Sequence, residues 1–197
     1  KSTLMAVTEA RTKATSMQID PSKLDEKTLA QFEQIKKDYQ EAEFLANSIA
    51  EKDKPKVLSG VMYQDIWYAP GGESWAAQLL EKAGGSYVFG KEGAAGSLQL
   101  NYEVVLDQAT SAPLWIGAAD FASLEEMGKV EPRYQAFAAW KTGEVYTYTA
   151  KKGATGGLEY FELGYLRPDL ILKDLIKILH PELLPGYEPY FYQKLKK

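Results

Sequence analysis

Two glycine-bearing loops hold the residues best suited to chemistry. The first runs Tyr63-Gln64-Asp65-Ile66-Trp67-Tyr68-Ala69-Pro70-Gly71-Gly72-Glu73-Ser74. Tyr63, Trp67 and Tyr68 offer stacking area at small entropic cost, because two torsions place each ring. Gly71 and Gly72 allow close backbone approach to a ligand and leave the following helix start open to an anion. Trp67 and Tyr68 could equally be core residues in a β-turn. The second loop, Gly153-Ala154-Thr155-Gly156-Gly157, opens a helix bearing Glu159, Tyr160, Phe161 and Glu162, with Lys151 and Lys152 beside it. It reads either as a ligand loop or as a flexible connector.

The remaining chemistry is defined by what is missing. The 197 residues contain no cysteine and one histidine, which removes thiolate nucleophiles, iron–sulfur clusters, disulfides and multi-histidine metal sites. Neither Gly-x4-Gly-Lys-Ser/Thr nor Gly-x-Gly-x-x-Gly occurs, and there is no Gly-x-Ser-x-Gly elbow. His180 lies in Leu179-His180-Pro181, a helix end where a structural role is expected. Glu125-Glu126 reads as a solvated face. An acid–base pair would have to be assembled from distant loops, and no enzyme is expected. With 23 basic and 27 acidic side chains the net charge is −4, which leaves no electrostatic footprint for nucleic acid. The 13 Tyr, 7 Phe and 4 Trp instead favour binding by shape and surface.

The elements that must position these loops follow from periodicity. Residues 1–20 carry a weak helical pattern through Leu4, Val7 and Ala10, and Asp20-Pro21 reads as a helix cap. Leu29, Phe32, Ile35, Tyr39, Ala42, Leu45 and Ile49 then recur every three or four residues. This predicts a long amphipathic helix over about 22–51, ended before Pro55. Strands are expected at Val57–Met62, Ile66–Tyr68, Ser86–Phe89, Leu114–Gly117 and Glu144–Tyr148. Helices are expected near 73–83, 101–109, 122–128, 132–140, 158–165, 168–180 and 187–194. Such alternation implies a three-layer α/β/α, Rossmann-like lobe with a mostly parallel sheet, whose ligands bind beyond the strands' carboxyl ends. The chain opens Lys1-Ser2-Thr3 without an initiator Met, so it reads as a processed or excised chain.

One ordered set of motifs carries a resemblance. It comprises Trp67-Tyr68-x-Pro70-Gly71-Gly72-x-Ser74-x-x-Ala77-Gln78-Leu79-Leu80-x-x-Ala83-Gly84-Gly85, Ser97 followed by Glu103-x-x-Leu106, and Pro132-Arg133-Tyr134-x-x-Phe137. It continues with Gly143-x-Val145-Tyr146, Glu159-Tyr160-Phe161-Glu162-x-Gly164, Arg167-Pro168-Asp169-Leu170-x-Leu172-x-Asp174-Leu175 and His180-Pro181-Glu182-Leu183-Leu184-Pro185. Over about residues 53–194 this resembles the periplasmic substrate-binding proteins of iron-siderophore, haem and cobalamin ABC importers, and matches their C-terminal lobe.

The resemblance implies a two-lobed extracytoplasmic binder, with residues 53–197 as the C-terminal lobe and residues 1–52 as a packing helix or inter-lobe connection. The N-terminal lobe, with its half of the cleft, is expected to lie outside this chain. An iron chelate, haem or corrinoid would be bound between the lobes and delivered to the ABC permease. The expected setting is the periplasm, or the extracytoplasmic side of the membrane as an anchored lipoprotein. Carried over by position, Tyr63, Trp67, Tyr68, Gly71, Gly72, Tyr160, Phe161 and Glu162 would contact ligand, and Glu103 would dock on the permease. No resident cofactor or bound metal is implied, although a Tyr phenolate could ligate ferric iron. The alternative is an interaction or sensor module reusing the lobe, which would expose an apolar patch on the amphipathic helix.

Overall fold

The computed structural model describes residues 25–197. The expected features at residues 1–20, Asp20-Pro21 included, lie outside the described residues. The first helix, α1, spans Glu26–Ala46, and its cap is Asp25, whose Oδ1 accepts from Thr28 N at 2.7 Å. It ends five residues before the expected limit, and a single 3-10 turn, Glu51–Asp53, leads to Pro55.

Two sheets follow. The larger has five strands in the order β4-β1-β6-β7-β8. Its strands are β1 (Lys56–Leu58), β4 (Ser86–Tyr87), β6 (Leu114–Ala118), β7 (Val145–Thr147) and β8 (Gln193–Lys194). All neighbours pair in parallel except β8, which runs antiparallel to β7. The smaller sheet is an antiparallel meander, β2-β3-β5, of Val61–Tyr63, Ile66–Pro70 and Ser97–Asn101. The expected strand Val57–Met62 is thus split between two sheets. The break is Gly60, at φ +94°, where a side chain would run into the Tyr68 carbonyl. β2 and β3 turn tightly through Gln64 and Asp65, both left-handed, so Tyr63 pairs directly with Ile66. β5 was not expected.

The helices are α2 (Trp75–Lys82), α3 (Tyr102–Ala109), α4 (Leu124–Val130), α5 (Ala138–Thr142), α6 (Glu159–Leu163) and α7 (Pro168–Leu179). β1 reaches β4 through α2 in one direction, and β4 reaches β6 past α3 in the other. Right-handed crossovers therefore set α2 on one face and α3, α4 and α5 on the opposite one. α7 packs on α2 and on α1, while α5 packs on β6, completing the three layers.

α1 is 21 residues long and α7 only 12, or about 31 Å against 18 Å at 1.5 Å per residue. α7 consequently covers only the later part of the α1 stripe. Tyr39, Ala42 and Ala46 are buried, whereas Leu29 and Phe32 remain over 40% exposed. Lys82 from α2 fixes the same end, donating to Tyr39 Oη and pairing with Glu43 at 3.5 Å. His180, 6% exposed, closes α7 with Nε2 2.9 Å from the Gly84 carbonyl, joining the ends of α2 and α7.

The segment expected as a helix over 187–194 is extended instead. Pro185, Gly186 at φ +78° and Pro189 break any helix, and the backbone N–H groups of Tyr190, Phe191 and Tyr192 all donate to the Asp174 carboxylate of α7.

Candidate functional site

The strand order reverses between β1 and β6, so the crevice rule points to the loops leaving β1, β6 and β7. At the exit of β1 the indole N–H of Trp67 donates to Ser59 O at 3.0 Å, and that of Trp115 to Gly60 O at 2.9 Å. Trp67 is completely buried, with its ring centroid 5.2 Å from Trp115, 5.5 Å from Phe137 and edge-on to Tyr134 at 5.8 Å. The expectation that Trp67 contacts ligand is corrected: both its faces and its N–H are committed to the core. Tyr68, on the other side of β3, is half-buried.

Gly71 and Gly72 require a similar correction. The backbone N–H groups of Gly71, Gly72 and Glu73 donate to Gly96 O, Glu92 O and Ala94 O at 2.7, 2.8 and 3.0 Å. A Cβ on Gly71 would strike the Ala94 carbonyl, and one on Gly72 the Gly90 carbonyl. These glycines admit the 90–96 loop, and their donors are not free for an anion. Ser74 caps α2 through Ala77 N.

Tyr63, 64% exposed, stands at the β2–β3 tip. Arg133 ties the tip to the 3-10 turn Pro132–Ala136, reaching Asp65 at 2.6 Å and Glu131 at 2.8 Å. The bonds from Arg133 hold the Glu131 carboxyl below its ordinary value. Since its folded value is depressed, Glu131 contributes stability above the usual glutamate range, which is lost as pH falls through the lowered value. Thermal melts of wild type and Glu131→Gln should differ at pH 7, and the gap should close towards pH 3.

The second loop builds a more open surface. Tyr148 stacks on Tyr160 at 5.0 Å, and Phe161 stands edge-on to both at 5.1 and 5.2 Å. Phe161 is 56% exposed, whereas Tyr160 retains only 8% and forms the floor. Burial pushes the Tyr160 phenol up to about 12, and burial followed by the Asp120 charge raises Tyr148. Both hydroxyls are therefore protonated at neutral pH, and either would have to lose a proton before ligating ferric iron. Glu162 is exposed, with its carboxylate lying against Gly153 and Gly157. Lys152 pairs with Asp120 at 3.3 Å, joining the β6 and β7 exits, and Lys151 sits 3.9 Å above the Tyr190 ring.

Just past α6, Tyr165 stacks at 4.8 Å on Trp75, the first residue of α2. This contact brings the end of the first loop against the second loop's helix. Among the described residues, no ring contact joins Tyr63 to another aromatic. Tyr165 and Trp75 were missed in the sequence; Tyr165 follows Phe161 by four residues, the spacing that would have grouped them. Glu103 is exposed in the first turn of α3, where a carboxylate also favours the helix dipole. No group of three or more His, Cys, Asp or Glu able to hold a metal occurs among the described residues.

This mixed α/β architecture, with its mostly parallel sheet, is shared with solved TroA-like periplasmic binding proteins, and the chain has their fold. It superposes on the TroA-like binding protein FepB of Veillonella parvula with a TM-score of 0.58 and 15% identity, over 83% of this chain and 56% of that one. CeuE of Helicobacter pylori, solved with Ni(II) bound, gives 0.60 and 19% over 93% and 53%. The haem-binding protein RhuT of Roseiflexus sp. RS-1 gives 0.61 and 18% over 89% and 62%. In sequence, the chain is 31% identical over 146 residues to the uncharacterized lipoprotein MJ0878 of Methanocaldococcus jannaschii, covering 73% of this chain and 33% of the relative. The chain thus spans a third of that curated relative and somewhat over half of these solved chains. No protein-family model matches it.

Proposed function

We propose that the chain is the C-terminal lobe, residues 53–197 with α1 as connection, of an extracytoplasmic solute-binding protein serving an ABC importer. Its cargo is an iron chelate, haem or corrinoid, held against the Tyr148–Phe161–Tyr165 face and passed to a permease that docks at Glu103. The exposed aromatic face at the sheet's carboxyl edge carries this reading, since it sits where this fold places ligands and is more open than a core requires. Similarity to a haem-binding periplasmic protein and to a lipoprotein supports the cargo class and an extracytoplasmic, lipid-anchored setting. Among the described residues no helix is long and apolar enough to cross a membrane.

The test is a tryptophan-fluorescence titration with hemin, cobalamin and a ferric tris-catecholate, on the longer protein that includes this lobe. Trp75 is the reporter of choice because it lies under Tyr165; Trp67 is sealed in the core. One of the three probes should quench saturably, and Phe161→Ala should weaken that probe about tenfold, the size of losing one good ring contact. A flat response to all three would reject the transport reading.

A second reading, the protein-interaction module, is favoured by the outer face of α1. Phe44 is 77% exposed there, beside a shallow depression of about 450 Å³ lined by Gln40, Glu41, Phe44 and Leu45, and on the stripe beyond the reach of α7 Leu29 and Phe32 are exposed as well. It predicts that Phe44→Asp abolishes a protein contact and leaves the three titrations unchanged.

A further inference from the structure

One carboxylate anchors the extended segment that packs against the aromatic face. Asp174, in the middle of α7, has no solvent exposure. Its Oδ1 accepts from Tyr187 Oη at 2.7 Å and Tyr190 N at 2.8 Å, and its Oδ2 from Phe191 N at 2.6 Å and Tyr192 N at 3.1 Å. Among the described residues it has no ion-pair partner, so these four donors alone offset its burial, which still holds the carboxyl above its ordinary value. An arrangement that satisfies every favoured lone pair of a carboxylate cannot be reproduced by an amide, which would turn an N–H towards other donors.

The three captured backbone N–H groups are consecutive, and each of their side chains reaches the face. Tyr190 Oη donates to Glu159 at 2.9 Å, at the start of α6, while its ring lies under Lys151. Phe191 packs edge-on to Tyr160 at 6.0 Å, and its carbonyl accepts from Ala150 N at 3.1 Å. Tyr192 Oη donates to Tyr160 Oη at 3.4 Å, with the rings 5.6 Å apart. Tyr160 in turn supports Tyr148 and Phe161.

We infer that Asp174 is a positioning residue for ligand: by pinning residues 190–192 it fixes the height and tilt of α6 and with it the Tyr148–Phe161 face. The inference rests on that face being the ligand surface. It assigns a binding role to a residue on the far side of α6 that touches no ligand.

Hydrogen exchange on the 197-residue chain tests the mechanical half. In Asp174→Asn the amides of 148–163 and 187–195 should exchange at least tenfold faster, with those of α1 and β1 unchanged. Unchanged exchange over 148–163, or uniform acceleration throughout, overturns the inference, because a merely structural residue would loosen the fold as a whole. Should Asp174→Asn fail to fold, the double variant Tyr190→Phe, Tyr192→Phe cuts the same relay at its far end and should loosen the same 148–163 amides. Binding tests the other half, using whichever of hemin, cobalamin or ferric tris-catecholate the wild type takes up. The variant should lose about tenfold in affinity, and unaltered affinity with a loosened α6 overturns the positioning role. If the wild type takes up none of the three, the transport reading fails and, with it, the ligand role of Asp174, while the exchange data still decide whether Asp174 sets α6.

Discussion

Replacing Trp67 with alanine is expected to lower the unfolding free energy by about 3–5 kcal/mol, the range for emptying a large aromatic site in a core. Trp67 has no exposed surface, touches three other rings, and supplies the N–H that satisfies the Ser59 carbonyl where the chain leaves β1. The variant therefore loses packing and also leaves a buried acceptor without its partner. Urea denaturation of the chain checks this through the midpoint. If Trp67 were instead a ligand-stacking residue, the midpoint would stay near wild type and only binding would change. Trp67→Phe should recover much of the packing while still lacking the donor, and should fall between the two.

Gly71→Ala carries the second large effect. The added methyl meets the Ala94 backbone carbonyl, and no side-chain rotation relieves a clash with main chain. The 90–96 loop must move, breaking some of the three hydrogen bonds that Gly71, Gly72 and Glu73 give it. A cost of about 1–3 kcal/mol is expected, in line with overpacking at a closed site. The loss should be local, so limited proteolysis should cut between residues 88 and 97 well before global unfolding. A variant that resists cleavage, melts normally and binds ligand weakly would restore these glycines to a direct binding role.

Much of the fold was legible because the relevant signals are short-range. The helix near residues 73–83 and the buried strand through Leu114–Gly117 follow from the glycines that stop the one and the apolar run of the other, while the cap at Ser74 emerged only in the structure. β5 was legible but overlooked: Ser97–Asn101 alternates polar and apolar residues, as a half-buried strand does, and it pairs with Ile66–Pro70. The tail over 187–194 was misread as a helix because its rings are densely spaced, whereas a carboxylate some sixteen residues earlier in the chain dictates its extended form. In the candidate site, sequence grouped Tyr160 and Phe161, whose rings meet edge-on at 5.2 Å. It could not separate Trp67 from Tyr68, since adjacent residues of β3 point to opposite faces and only the packing of the other layers decides which is sealed. Gly71 and Gly72 were recognised as positions of close approach, but the approaching group is the protein's own loop.

The antiparallel strand β8 has a consequence for the order in which the molecule can be made. β7 is complete by residue 147, yet its outer edge stays open until residues 193–194 arrive, and Asp174 stays without its backbone donors until residues 190–192 do. At a synthesis rate of about 5–20 residues per second, a nascent chain carries an unprotected strand edge, and an Asp174 still hydrated rather than held by its donors, for seconds. Closure of the larger sheet therefore has to wait until every other described strand has been made.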